Sequence, residues 1–246
     1  MMNLDMNADT RKQRVYWTMY LKRIFSLRQM DLDYSFSQMI QICISPTKVY
    51  KMTAWRKQTK NQWARDDPSF ILITLFFVAS ISAAYSIAIR PGCVTCLIKS
   101  LIQSVFFSLL AGLVIATISC YWINHSMRIQ RPHSPEQFVE WLYALDIHFN
   151  AFFPALLIMG VLQYVILPFI VRAQFMSTFV ADIACIAAIC YYCYITFLGY
   201  MYLPFVKTPF VFLIIGGVLC CVVLVFMSFG VNIPKRLLLT YFSSLC

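Results

Sequence analysis

The sequence predicts an all-α polytopic membrane protein with about five transmembrane helices and an N-terminal amphipathic helical arm in the cytosol. Three observations lead there. Of 246 residues, 61% belong to the hydrophobic set and 12% are charged, whereas a soluble domain is roughly half apolar and about a quarter charged. So few charges cannot cover a water-exposed surface, and disorder is excluded by the same composition. Five apolar stretches near twenty residues then follow one another between residues 70 and 229. Finally, the net charge of +10 is unevenly placed: residues 1–69 hold twelve of the twenty cations against six aspartates, a net +6.

The first span is expected at 70–89. Asp66-Asp67-Pro68 before it and Arg90-Pro91-Gly92 after it supply start and stop chemistry. The second is expected at 101–123. The third, at 151–171, carries Pro154 and Pro168, which a membrane helix tolerates as kinks. The fourth, at 179–202, holds the carboxylate Asp182 near its start, and the fifth, at 209–229, holds Gly216-Gly217. A cytosolic loop is expected at 124–150 and a short lumenal tail at 230–246. With the N-terminus in the cytosol, fifteen cations face that side and five the other, which sets the orientation as N-cytosolic and C-lumenal. The N-terminus lacks the early apolar run of a signal peptide, so insertion falls to the first span.

Within the arm, Leu32, Phe36, Met39, Ile40, Cys43 and Ile44 recur at helical spacing, and Ser45-Pro46 supplies a stop. Upstream, Val15, Met19, Ile24 and Phe25 mix with Lys22, Arg23 and Arg28, the pattern of a basic amphipathic segment on an anionic membrane face. The arm's cations alternate with Trp and Tyr, which admits RNA, but such bands just outside a first span are also the ordinary interfacial pattern.

Motifs with chemical content are few. Glu136, Glu140, Asp146, His148 and Asn150 fall close together, a polar cluster expected at the membrane interface or facing a partner. Their spacing matches no dedicated metal motif. Asp182 reads as a structural cap or pair, with a small-solute transporter using it as the competing view. Cys93 and Cys96 form a CxxC outside any thioredoxin-like context, and Cys190 and Cys193 read as packing. Asn124-His125-Ser126 is a glycosylation sequon by pattern, placed in the cytosol by the orientation above. No phosphate-binding glycine loop or nucleophile elbow is visible, and no cofactor is implied.

Four strings carry a resemblance: Arg28-Gln29-Met30-Asp31, the run from Arg56 to Pro68, the Asp146 to Phe153 string, and Thr196-Phe197-Leu198-Gly199-Tyr200. Together they resemble the uncoordinated-fifty family of eukaryotic Golgi multispan proteins, over about residues 20 to 240. The resemblance implies a non-enzymatic Golgi scaffold or adaptor, present also in the endoplasmic reticulum and inner nuclear membrane, that supports vesicular trafficking. It further implies surface delivery of receptor cargo such as nicotinic acetylcholine receptors, recruitment of large Arf guanine-nucleotide exchange factors, and the RNA binding ascribed to a mammalian member. Charge, aromatic content and family match make Arg28, Asp31, Arg56, Lys57, Lys60, Trp63, Arg65, Asp66 and Asp67 the candidate partner-binding positions.

Overall fold

A computed structural model describes residues 30–129, 137–170 and 175–244. Arg28, Glu136 and the basic segment upstream of Met30 lie outside the described residues. The described chain is helical, with one isolated antiparallel bridge between Arg128 and Val206. Two arm helices come first: α1 (Leu32–Ile44) and α2 (Pro46–Lys60). Asp31 caps α1 by accepting from the Tyr34 amide at 3.0 Å. Ser45-Pro46 does end α1, but the proline also opens α2, where its missing N–H costs nothing. Asn61 closes α2 in the left-handed region at φ 54°.

Five helices are long and apolar enough to cross a membrane: α3 (Ser69–Ile89); α4 (Val94–Trp122), continuing to Met127; α5 (Trp141–Leu156), continuing to Val165; α7 (Phe175–Met201); and α8 (Val211–Ser228). A short α6 (Leu167–Ile170) follows α5, and α9 (Ile233–Ser244) follows α8. The chain is therefore an all-α polytopic membrane protein. Four spans fall near their expected positions, although α4 begins seven residues early, at Val94. The third does not: α5 starts at Trp141, ten residues before the expected boundary, so the last ten residues of the expected loop belong to this helix. Pro154 sits inside α5, and the helix widens to π geometry over Leu157–Leu162, just beyond it.

Neighbouring spans pack in chain order, with α7 against both α5 and α8. Lipid tails are as apolar as leucine, so spans associate through close packing and hydrogen bonds more than through hydrophobic burial. Helix α4 illustrates this. Cys96, Ser100, Ser104, Ser108, Gly112, Ala116 and Cys120 place a small residue every fourth position, and the residues α4 buries are Cys96, Ser100, Gly112, Ala116 and Ser119. Ser82 of α3 donates to the Ser100 carbonyl at 3.1 Å. Between α7 and α8, Gly216 admits Cys193: a Cβ on that glycine would lie 2.9 Å from the Cys193 Cβ. Cys93 and Cys96 form a disulfide at the start of α4.

The loops at the arm end are also tied together. Ile129 donates to the Phe205 carbonyl and Lys207 to the Met127 carbonyl, both at 2.8 Å. The sequon residue Asn124 has both ends of its amide engaged: Nδ2 donates to the Val139 carbonyl at 3.1 Å and Oδ1 accepts from the Val139 amide at 2.8 Å. A glycan on Nδ2 would break that pairing. Enzymatic deglycosylation is therefore expected to leave the protein's gel mobility unchanged.

At Gly199, a Cβ would stand 2.8 Å from Ile147 Cγ1 and 3.0 Å from the Tyr50 hydroxyl, and both neighbours are buried. Gly199→Val should cost about 1–3 kcal/mol by overpacking and lower the melting midpoint of the detergent-solubilised protein. Gly217→Val is the control and should leave it unchanged, because a Cβ there meets nothing within 4 Å.

Candidate functional site: the arm docked on the third span

The segment joining α2 to α3 carries Trp63, Ala64 and Arg65, and all three are buried. Their backbone N–H groups lie outside any helix and need acceptors. The third span supplies them. Glu140, just before α5, accepts from the Trp63 amide at 3.3 Å and the Ala64 amide at 3.1 Å, one oxygen each. Asp146, one and a half turns into α5, accepts from the Arg65 amide at 2.7 Å. Arg65 Nη2 donates to Asn150 Oδ1, four residues further on. Asp146 and Asn150 are i,i+4 neighbours, so a single stripe of α5 takes both ends of the arginine.

The Arg65 guanidinium lies 4.2 Å from the Phe70 ring centroid, a cation–π contact at the base of α3. Burial pushes its pKa below the usual arginine value, and the carboxylate of Asp146 opposes that shift. Lys57 reinforces the clamp from α2, with Nζ 3.9 Å from Glu140 and 5.8 Å from the Trp63 ring centroid. The Trp63 ring packs against Tyr143 at 5.9 Å and Phe205 at 6.3 Å.

Helix α7 holds the arm from the other side. The Tyr191 hydroxyl lies 3.1 Å from the Ile42 carbonyl and 2.6 Å from the Cys43 carbonyl, serving the orphan acceptors of the last turn of α1. Tyr143 donates to the Gly199 carbonyl at 2.8 Å, locking α5 to α7. Tyr50 of α2 is buried and stacks on Tyr202 at 6.1 Å. Its burial pushes the phenol pKa well up.

These contacts correct two expectations. Asp146, His148 and Asn150 are not an interfacial or partner-facing cluster: all three are buried, and they divide between two faces of α5. Asp146 and Asn150 meet Arg65, whereas His148 meets the Tyr192 hydroxyl at 2.8 Å and lies against Gly112. Trp63 and Arg65 are equally unsuited to dock a protein partner, because both are buried inside the protein. Asp31 and Asp67 serve the arm as well. Asp67 accepts from the Asp31 amide at 2.7 Å and the Ser69 amide at 3.1 Å, while Ser35 and Ser69 share a hydroxyl contact. Asp66 takes Lys60 and Gln62, each at 2.6 Å.

Asp182 lies at the opposite end of the bundle and is fully buried. Its Oδ1 accepts from the Ile233 amide at 3.1 Å, placing a carboxylate at the first turn of α9. An apolar cleft of about 390 Å³ opens between α4, α5, α7 and α8, lined by residues including Ile115, Met159, Ile189 and Leu219. Asp182 is not part of its wall. Among the described residues no group of three or more metal-ligating side chains converges.

Five apolar helices, with a basic arm clamped to one end through polar groups of the third span, define an integral membrane protein that presents a fixed polar face. The chain belongs to the UNC-50 family, whose profile matches residues 20–242. It is 40% identical to the protein unc-50 homolog of Dictyostelium discoideum over 225 residues, covering 91% of this chain and 86% of that one. The Danio rerio homolog is 36% identical, covering 89% and 85%, and the Homo sapiens homolog 35%, covering 79% and 74%. No solved structure matches the chain.

Removing Asp146 leaves the buried Arg65 amide without its acceptor and the nearby guanidinium without an opposing charge, so Asp146→Ala should cost about 1–3 kcal/mol, as orphaning a buried donor does. The expected readouts are a lower melting midpoint and new protease cleavage between residues 60 and 68. The double variant Arg65→Met/Asp146→Leu should recover only part of the loss, since no buried charge is then left alone but the residue-65 amide still lacks its acceptor.

Proposed function

We propose that the protein is a non-enzymatic Golgi membrane scaffold. Its arm recruits a large Arf guanine-nucleotide exchange factor from the cytosol and thereby supports trafficking of receptor cargo to the cell surface. Family membership supports the trafficking role, and the observation that carries the docking face is the outer surface of α2. That helix buries Val49, Tyr50 and Thr53 against the protein and exposes Lys48, Lys51, Met52, Trp55 and Lys60. Trp55 is 69% exposed. An exposed tryptophan flanked by lysines on a rigid helix is the composition of an interface hot spot, and the cations favour an acidic partner surface.

Arg56 and Lys57 are half-buried on the same helix, and Lys60 also pairs with Asp66 at 2.6 Å. Of the expected partner-binding positions among the described residues these three remain, joined by Lys48, Lys51 and Trp55. In this reading the spans retain the protein in the Golgi membrane with the N-terminus cytosolic.

The triple variant Lys48→Glu/Lys51→Glu/Trp55→Ala should keep its expression, melting midpoint and membrane insertion. Co-purification of the exchange factor from Golgi membranes should fall at least about tenfold, the effect of deleting a hot spot. Unchanged co-purification from a folded, correctly localised variant would defeat the proposal.

A further inference from the structure

A polar cleft of about 380 Å³ opens between the start of α1, the end of α2 and the segment leading into α3. Its walls carry three cations, Arg56, Lys60 and Arg65, and three carboxylates, Asp31, Asp66 and Asp67. The volume is within the range of small-molecule sites, and the formal charge of the walls is zero.

Two wall residues have unspent hydrogen-bonding capacity although both are more than nine-tenths buried. Arg65 Nη1 and Gln38 Oε1 find no partner, at 8% and 3% residue exposure. Leaving such groups unpaired is costly, more so for a cationic donor. Nearby groups are already committed. Gln38 Nε2 and Arg56 Nη2 both donate to the Tyr34 hydroxyl, at 2.7 and 2.9 Å. The three carboxylates hold the α1 cap, the entry to α3, and Lys60 with Gln62. What remains unpaired is a cationic donor on one lining residue and a neutral acceptor on another.

We propose that this cleft binds a phosphoethanolamine group. The phosphate accepts from Arg65 Nη1 and from Arg56, and the ammonium donates to Gln38 Oε1 beside the wall carboxylates. A polyanion is disfavoured because Asp31, Asp66 and Asp67 repel it. A choline group is disfavoured because a quaternary nitrogen has no N–H for Gln38. Asp67 lies two residues before Ser69, the first residue of the first span, which sets the cleft at the depth of lipid headgroups. Beside it α1 exposes Leu32, Phe36, Ile40 and Ile44, a surface suited to acyl chains. The same chemistry is offered by phosphatidylethanolamine and by the free headgroup.

The test is ligand-dependent melting of the full chain in detergent, titrated with dioleoylphosphatidylethanolamine, dioleoylphosphatidylcholine, soluble phosphoethanolamine and soluble phosphocholine. The ethanolamine forms should bind about tenfold more tightly than their choline counterparts, the factor given by one hydrogen bond to a charged group. Gln38→Met, which keeps length and removes the acceptor, should bring the two to parity. Arg56→Gln should weaken both. Binding of the lipid alone assigns a membrane headgroup, and equal binding of soluble phosphoethanolamine assigns the free compound. Equal affinity for ethanolamine and choline forms would overturn the proposal. So would an undiminished preference in Gln38→Met, tighter binding of inositol trisphosphate or a phosphopeptide, or no ligand-dependent shift.

Discussion

The structure depends on one buried arginine. Arg65 enters the crevice between the arm and the third span, and Asp146, Asn150 and the Phe70 ring receive it. A buried charge pair contributes little net stability compared with an apolar replacement, because both ions lose their water. Its value is specificity. The guanidinium reaches the Asn150 oxygen while the Asp146 carboxylate, one turn earlier, holds the backbone amide of the same residue, and that pair of bonds fixes the register of the arm on the bundle. Glu140 extends the same logic to the backbone by holding two consecutive amides of the connecting segment.

That constraint also explains the third span. A helix carrying Asp146, His148 and Asn150 is unfavourable in hydrocarbon unless each polar group has a partner inside the protein. Here each has one: Arg65 for Asp146 and Asn150, and Tyr192 for His148. The two polar faces hold the helix between arm and bundle, so α5 is the most buried of the five spans. Around it the spans approach closely where side chains are small, at Gly112 and Gly199 above all. Tyr143 and Tyr191 add directional hydrogen bonds to that packing.

Local signals made most of the fold readable from the sequence. Four spans are nearly charge-free apolar runs, and α1 has a clear helical period with an Asp cap and a Ser-Pro stop. The start of α5 was not readable, since a search for uncharged stretches rejects Asp146, and its compensating cation lies 81 residues upstream. The same distance hid the role of Arg65 and Trp63, which look like surface residues in a basic run. Helix α2 carries no such local signal, because its apolar positions are sparse and Val49, Tyr50 and Thr53 are buried by tertiary contact. The four-residue repeat of small side chains in α4 is a signal of a packed span that the sequence carries on its surface. The contact of Asp182 with the Ile233 amide was not legible, because the two are 51 residues apart.

The separation between Arg65 and its acceptors has a consequence for biosynthesis. Chains are made from the N-terminus at about 5–20 residues per second, so Arg65 is complete on the order of ten seconds before Asp146 and Asn150 exist. During that interval the arm has no seat on the bundle, and the connecting segment holds amides and a guanidinium without their acceptors. Docking becomes available once the third span has been made and inserted. The clamp thereby orders maturation, because the face formed by α1 and α2 takes its final shape only after the middle of the membrane domain is in place.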